Sequence, residues 1–205
     1  MVVTSEQKSL ILFMECNLAM IMNEKVEYFL NAIHYCLWLY NIKFHEFIEK
    51  RLNALFSPIL QHLFTESFKK KNNKCLAKQQ EELNIFYYNK KTGYHIGQAN
   101  YLYGYFYSGY PTFISFLLGG LVLKEFGYMN EIMKLAVLVI PIGLGYIPAY
   151  RAVFTDNRYL KYFKRFEKED EQWHKKWKLI TSIFCIGSIL ATVLGICAAF
   201  AIMFA

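Results

Sequence analysis

The sequence predicts an all-α, polytopic integral membrane protein, with about three C-terminal transmembrane helices after an N-terminal helical region that is cytoplasmic or membrane-apposed. Three observations carry this expectation. Apolar residues make up 55% of the 205-residue chain, yet its mean hydropathy is only +0.18, so they must be gathered in blocks. The last block, Leu179 to Ala205, runs 27 residues without a charge, against the roughly 20 needed to cross a hydrocarbon core. Basic residues are concentrated in two connecting segments, the pattern expected of loops retained on one side of a membrane. Charged residues are 19% of the chain, below the roughly 25% of soluble domains, and apolar content this high excludes disorder. The five cysteines are odd in number and scattered, with no paired spacing for zinc or a redox motif.

The N-terminal region, residues 1–67, has no signal-peptide pattern, because its first apolar stretch (10–22) holds Glu15 and Asn17. Further on, Glu24, Glu27, Asn31, His34, Asn41, His45, Glu49 and Asn53 recur at helical spacing, with Trp38 filling the missing step. Glu27, Asn31, His34, His45 and Glu49 are thereby expected on one polar stripe, read as the solvated edge of an amphipathic helix. The rest of the surface is apolar, so the helix needs cover from protein or lipid. Residues 10–22 and 26–42 could cross as a hairpin, but their ionisable groups would cost up to about 3 kcal/mol each at mid-bilayer. A cytoplasmic or membrane-apposed position is therefore preferred.

Residues 68–100 read as a basic linker. Phe68 to Lys74 is a lysine-rich loop, and residues 84–96 pattern as a short β-hairpin with Gly93 in its turn. The transmembrane region, 101–205, holds spans at about 104–123, 132–150 and 179–204. The first is preceded by a tyrosine cluster suited to an interfacial belt. Pro141, Gly143, Gly145 and Pro148 interrupt the second, predicting a kinked helix whose freed carbonyls find partners in neighbouring spans. In the third, Gly187, Ala191, Gly195 and Ala199 recur every fourth residue, a flat stripe for close helix packing or oligomerisation, within the chain or between subunits. The segment before it carries Arg158, Lys161, Arg165, Trp173, Lys176 and Trp177. Such basic residues with aromatic anchors suit a membrane surface rich in anionic lipid, which is favoured over nucleic acid as the partner.

Catalytic signatures are absent. No phosphate-binding loop, dinucleotide fingerprint, nucleophile elbow or zincin pair occurs, and His45-Glu46 lacks the second histidine a zincin helix needs. The expectation is no enzyme, no cofactor and no metal. Nine Lys/Arg in residues 151–178 and seven in 66–91, against a short balanced connection at 124–134, orient both basic segments toward the cytoplasm. Abundant Lys, Asn, Ile, Phe and Tyr hint at an AT-rich bacterial genome and hence at a multi-pass protein of the bacterial inner membrane. The functional expectation is a small assembly-forming membrane protein, a homo-oligomer through its last span, acting as a pore-like or membrane-permeabilising effector or accessory of a defence system. The alternatives are an anchor or scaffold binding a membrane-protein or other protein partner through the N-terminal helices, and a small proton-coupled transporter using His34 or Glu27.

Overall fold

The computed structural model describes the backbone of residues 5–63 and 78–204, with side chains described over 24–56 and 78–204. Every element among these residues is helical: α1 (Ser5–Leu63), α2 (78–88), α3 (Tyr94–Phe126), α4 (Glu131–Val153), a 3-10 turn (Thr155–Asn157), α5 (Arg158–Phe166) and α6 (Glu171–Phe204). Three helices, those containing the expected spans, are long and apolar enough to cross a membrane. The chain fits a multi-pass membrane protein.

Local chemistry sets the boundaries. Gly127 ends α3 in a left-handed conformation (φ 71°), its N–H donating to the Leu123 carbonyl. Asn130 then opens α4, its side chain accepting the Met133 N–H at 2.8 Å, which satisfies one of the free donors of a helix start. Asp156 and Asn157, at φ 54° and 53°, turn the chain into α5. Asp170 Oδ1 accepts the Trp173 N–H at 2.7 Å and starts α6.

α3 and α6 run parallel and make the tightest pair. Gly195 lies against Phe113 and Gly120 against the Ala199 backbone, while Gly109 meets Ser188 and Gly187 meets the Tyr110 hydroxyl. The small-residue stripe of the last span is therefore used within the chain, by α3. Hydrocarbon offers no hydrophobic drive for helix pairing, so close backbone approach supplies the attraction, and glycine permits it. α4 runs antiparallel to α3, with Gly145 packed on Pro111. It remains helical through Pro141 and Pro148. Two carbonyls near these prolines accept from α3, with Ser115 Oγ donating to Leu138 O at 3.1 Å and the Tyr107 hydroxyl to Gly145 O at 3.2 Å; the carbonyls that the prolines free are those of Val137 and Leu144. Gly143 faces open space and plays no part in that packing.

One expectation is corrected, and one alternative is set aside. The hairpin at 84–96 is absent: α2 and α3 are joined by a turn in which Asn89 Oδ1 accepts the Lys91 N–H at 2.8 Å. Gly93 is indeed required there, but because a Cβ would stand 2.7 Å from Asn89 N, not because a strand reverses. Residues 10–22 and 26–42 form no helical hairpin either, since α1 continues unbroken through residues 23–25. At 59 residues it extends for about 90 Å at 1.5 Å per residue. The Phe68–Lys74 loop lies outside the described residues.

The core sits where α3 begins, α4 ends and α6 begins, at the basic end of the bundle. Leu30, Ile33, Tyr35, Cys36 and Trp38 of α1 are buried there with Tyr103, Val153, Phe163 and Phe166. Phe29 packs on Trp177 and Phe184, while eleven residues later Tyr40 reaches Lys178 and Ser182. About 16 Å of α1 thus spans one level of α6. α1 crosses α6 transversely instead of running alongside it.

Candidate functional site at the basic end

The polar stripe of α1 points into the protein. Asn31 and His34 are fully buried. Asn31 Nδ2 donates to Glu27 O at 2.8 Å and to Ala152 O at 3.0 Å, the latter in the last turn of α4, where helical carbonyls lack internal partners. His34 Nε2 meets Asn100 Oδ1 at 2.8 Å. About two turns further on, Asn41 Oδ1 accepts from His95 Nδ1 at 2.9 Å, and the His45 ring stands 5.0 Å from that of His95. Glu27 closes the other end with Arg158 at 3.1 Å. The expectation of a solvated edge is overturned for Glu27, Asn31 and His34, and holds for Glu49, which is exposed. The reason is tertiary. Buried amides and imidazoles need partners from opposing helices, and Asn100, His95 and the Ala152 carbonyl each supply one, while Asn31 Oδ1, His34 Nδ1 and His95 Nε2 have none among the described residues.

An aromatic cage surrounds His34. The rings of Tyr103, Phe154, Tyr159 and Phe163 stand 5.4–5.5 Å from the imidazole. Burial pushes His34 from 6.5 down to about 4, with the Asn100 hydrogen bond working in the opposite direction. The imidazole is therefore neutral near neutral pH, with its proton on Nε2 toward Asn100. Nδ1 has no partner, so a second proton would find no acceptor. Burial and the neighbouring His45 also lower His95.

α5 and the start of α6 close the cage. Tyr159, Phe163 and Phe166 point inward, while Lys161 and Arg165 stay exposed. Trp173 Nε1 donates to the Tyr28 hydroxyl at 2.8 Å, and Trp177 is buried against Tyr28 and Phe29. Of the two tryptophans expected as membrane anchors, Trp177 is buried in the α1 core and Trp173 is half-buried against it, because Tyr28 and Phe29 of α1 pack on them. Lys176 remains exposed. Arg165 stacks over Tyr28 at 5.2 Å, and with Glu24, Lys25, Glu27, Lys161 and Tyr162 it borders an open groove of about 560 Å³. Acids and bases alternate around that groove, so it presents no field of one sign. Among the described residues no cluster of three or more His, Cys, Asp or Glu could hold a metal ion.

Asn100 and His95 are the site residues that sequence reasoning passed over, and Tyr103, expected in the interfacial tyrosine belt, is instead fully buried. Reading residues 84–96 as strands hid the signal, which is present: His95, Ile96, Ala99 and Tyr103 are all buried and stand at helical spacing. No family model matches the chain, and no curated protein and no solved structure matches it.

Proposed function

We propose that this protein is a multi-pass membrane anchor that clamps the long helix α1 at the cytoplasmic face, where it serves as a scaffold for a protein partner. One observation carries the proposal. The middle of α1 is enclosed by α3, α4, α5 and α6 through buried hydrogen bonds and rings, while residues on its C-terminal side leave the bundle with exposed side chains. Three spans that hold one helix rigidly and leave its continuation free have the build of a mount. The cytoplasmic assignment rests on the Lys/Arg bias of the connections at the same end.

The small-residue stripe that motivates assembly through the last span is occupied by α3, which removes the main support for a pore built on that face. A photo-reactive residue placed at Glu46, Glu49 or Asn53 and activated in native membranes tests the scaffold. One crosslinked product of defined mass, shared by the three positions, supports it. A product at twice the chain mass, together with ion leak from reconstituted liposomes, would favour the assembling pore. Proton-driven solute uptake abolished by His34→Gln would favour a transporter.

A further inference from the structure

We propose that residues 40–56 of α1 form an in-plane amphipathic arm whose apolar face is embedded in the bilayer that the three spans cross. Phe44, Phe47, Ile48, Leu52, Leu55 and Phe56 are all exposed, Phe44 and Leu55 at 67%. They occupy one sector of the helix, with Glu46, Glu49, Lys50 and Asn53 on the other.

The direction of the apolar sector follows from helical register. Tyr28 and Tyr35 point at α5, with rings 5.2 Å from Phe166 and 5.0 Å from Phe163. Eighteen residues complete five turns, so Glu46 and Asn53 share the azimuth of Tyr28 and Tyr35. Ile33 and Leu37 are buried on the opposite side of α1, away from α5. Eleven residues make about three turns, so Phe44 and Ile48 continue that azimuth, and Leu55 continues it again. α5 follows the end of α4 and lies beyond the spans, so the side of α1 facing away from it faces the hydrocarbon layer.

The depth agrees with the direction. The Tyr40 hydroxyl donates to Lys178 O and meets Ser182 Oγ, both at 3.2 Å, and the uncharged run of α6 begins at Leu179. At Tyr40, α1 is thus level with the start of that uncharged run on α6, while Asn41 and His45 meet His95 in the first turn of α3. Arg51, the one charge in the apolar sector, lies back over the Phe47 ring at 5.3 Å, and its long stem can reach a headgroup phosphate. Burial in the acyl boundary satisfies the apolar sector and leaves the acidic and amide residues in water. The inference rests on the three spans and holds whether or not α1 serves a protein partner.

Spin labels on single cysteines test it in the full chain, reconstituted in vesicles of phosphatidylethanolamine and phosphatidylglycerol. Positions 44, 48 and 55 are compared with 46, 50 and 53. Collisions with lipid-soluble oxygen should dominate at 44, 48 and 55, and those with a water-soluble nickel chelate at 46, 50 and 53, giving two profiles half a turn out of phase. Nickel collisions dominating at all six positions would place the arm in water and overturn the proposal. Neither reagent reaching 44, 48 and 55 would mean that protein covers the face, a second copy or another chain, and would overturn it equally. The Ile48→Glu, Leu55→Glu variant gives an independent readout. It should keep the helical content and detergent stability of the parent but lose the oxygen signal at 44, and an unchanged signal would count against lipid burial.

Discussion

Adjacent glycines in α3 face different surroundings, and alanine at each should have opposite consequences. A Cβ at Gly120 would lie 2.9 Å from both Cα and O of Ala199, whereas one at Gly119 would meet only Val137 Cγ1, at an ordinary 3.8 Å. The clash at 120 is with backbone, so no side-chain rotation relieves it. α6 must move off by about 0.6–1 Å to restore a normal carbon separation, and such a gap forfeits a quarter to a half of each contact well along the α3–α6 seam. Overpacking of this kind costs about 1–3 kcal/mol. The helix-propensity gain of about 1 kcal/mol for Gly to Ala applies to both sites and cancels in their difference. Gly120→Ala should thus be less stable than Gly119→Ala by about 1–3 kcal/mol. Equilibrium unfolding in mixed micelles, followed by far-ultraviolet circular dichroism across a sodium dodecyl sulfate titration, measures that difference. Equal stabilities, or a more stable Gly120→Ala, would refute the seam as described.

Further outcomes follow from the same contacts. Gly195→Leu, whose Cβ would stand 3.0 Å from Phe113 Cα, should destabilise the single chain in the same titration, without the change of oligomer size that a subunit interface would give. Asn31→Leu removes the donor to Ala152 O and should cost about 1–3 kcal/mol, the penalty for stranding a buried polar group. His34 is held neutral down to about pH 4 in the fold, against 6.5 when exposed. Its contribution is fully present above pH 6.5 and lost as pH falls toward 4, because the unfolded chain takes up the proton first. That loss amounts to roughly 3 kcal/mol, and His34→Gln should flatten the slope between those pH values. For orientation, cysteines replacing Asn130 and Lys168 in a background without native thiols should differ in intact cells. A membrane-impermeant reagent should label only position 130, and labelling at 168 alone would invert the topology.

The sequence by itself determined the spans. Hydrocarbon thickness and the cost of a buried charge act on composition and length, which are local properties, so residues 179–204 and 132–150 were legible without any neighbour. The Gly187–Ala199 stripe was legible as a packing surface for the same reason, because i, i+4 spacing alone flattens one side of a helix. Which helix fills it was decided only by the fold: Gly109 and Gly120 of α3 had to present matching relief at the right heights. The stripe from Glu27 to His45 shows the other limit. Amides and imidazoles on one face read the same whether water or protein satisfies them. Only the tertiary arrangement, which brings Asn100, His95 and the Ala152 carbonyl within hydrogen-bond reach, turned a surface pattern into a buried one.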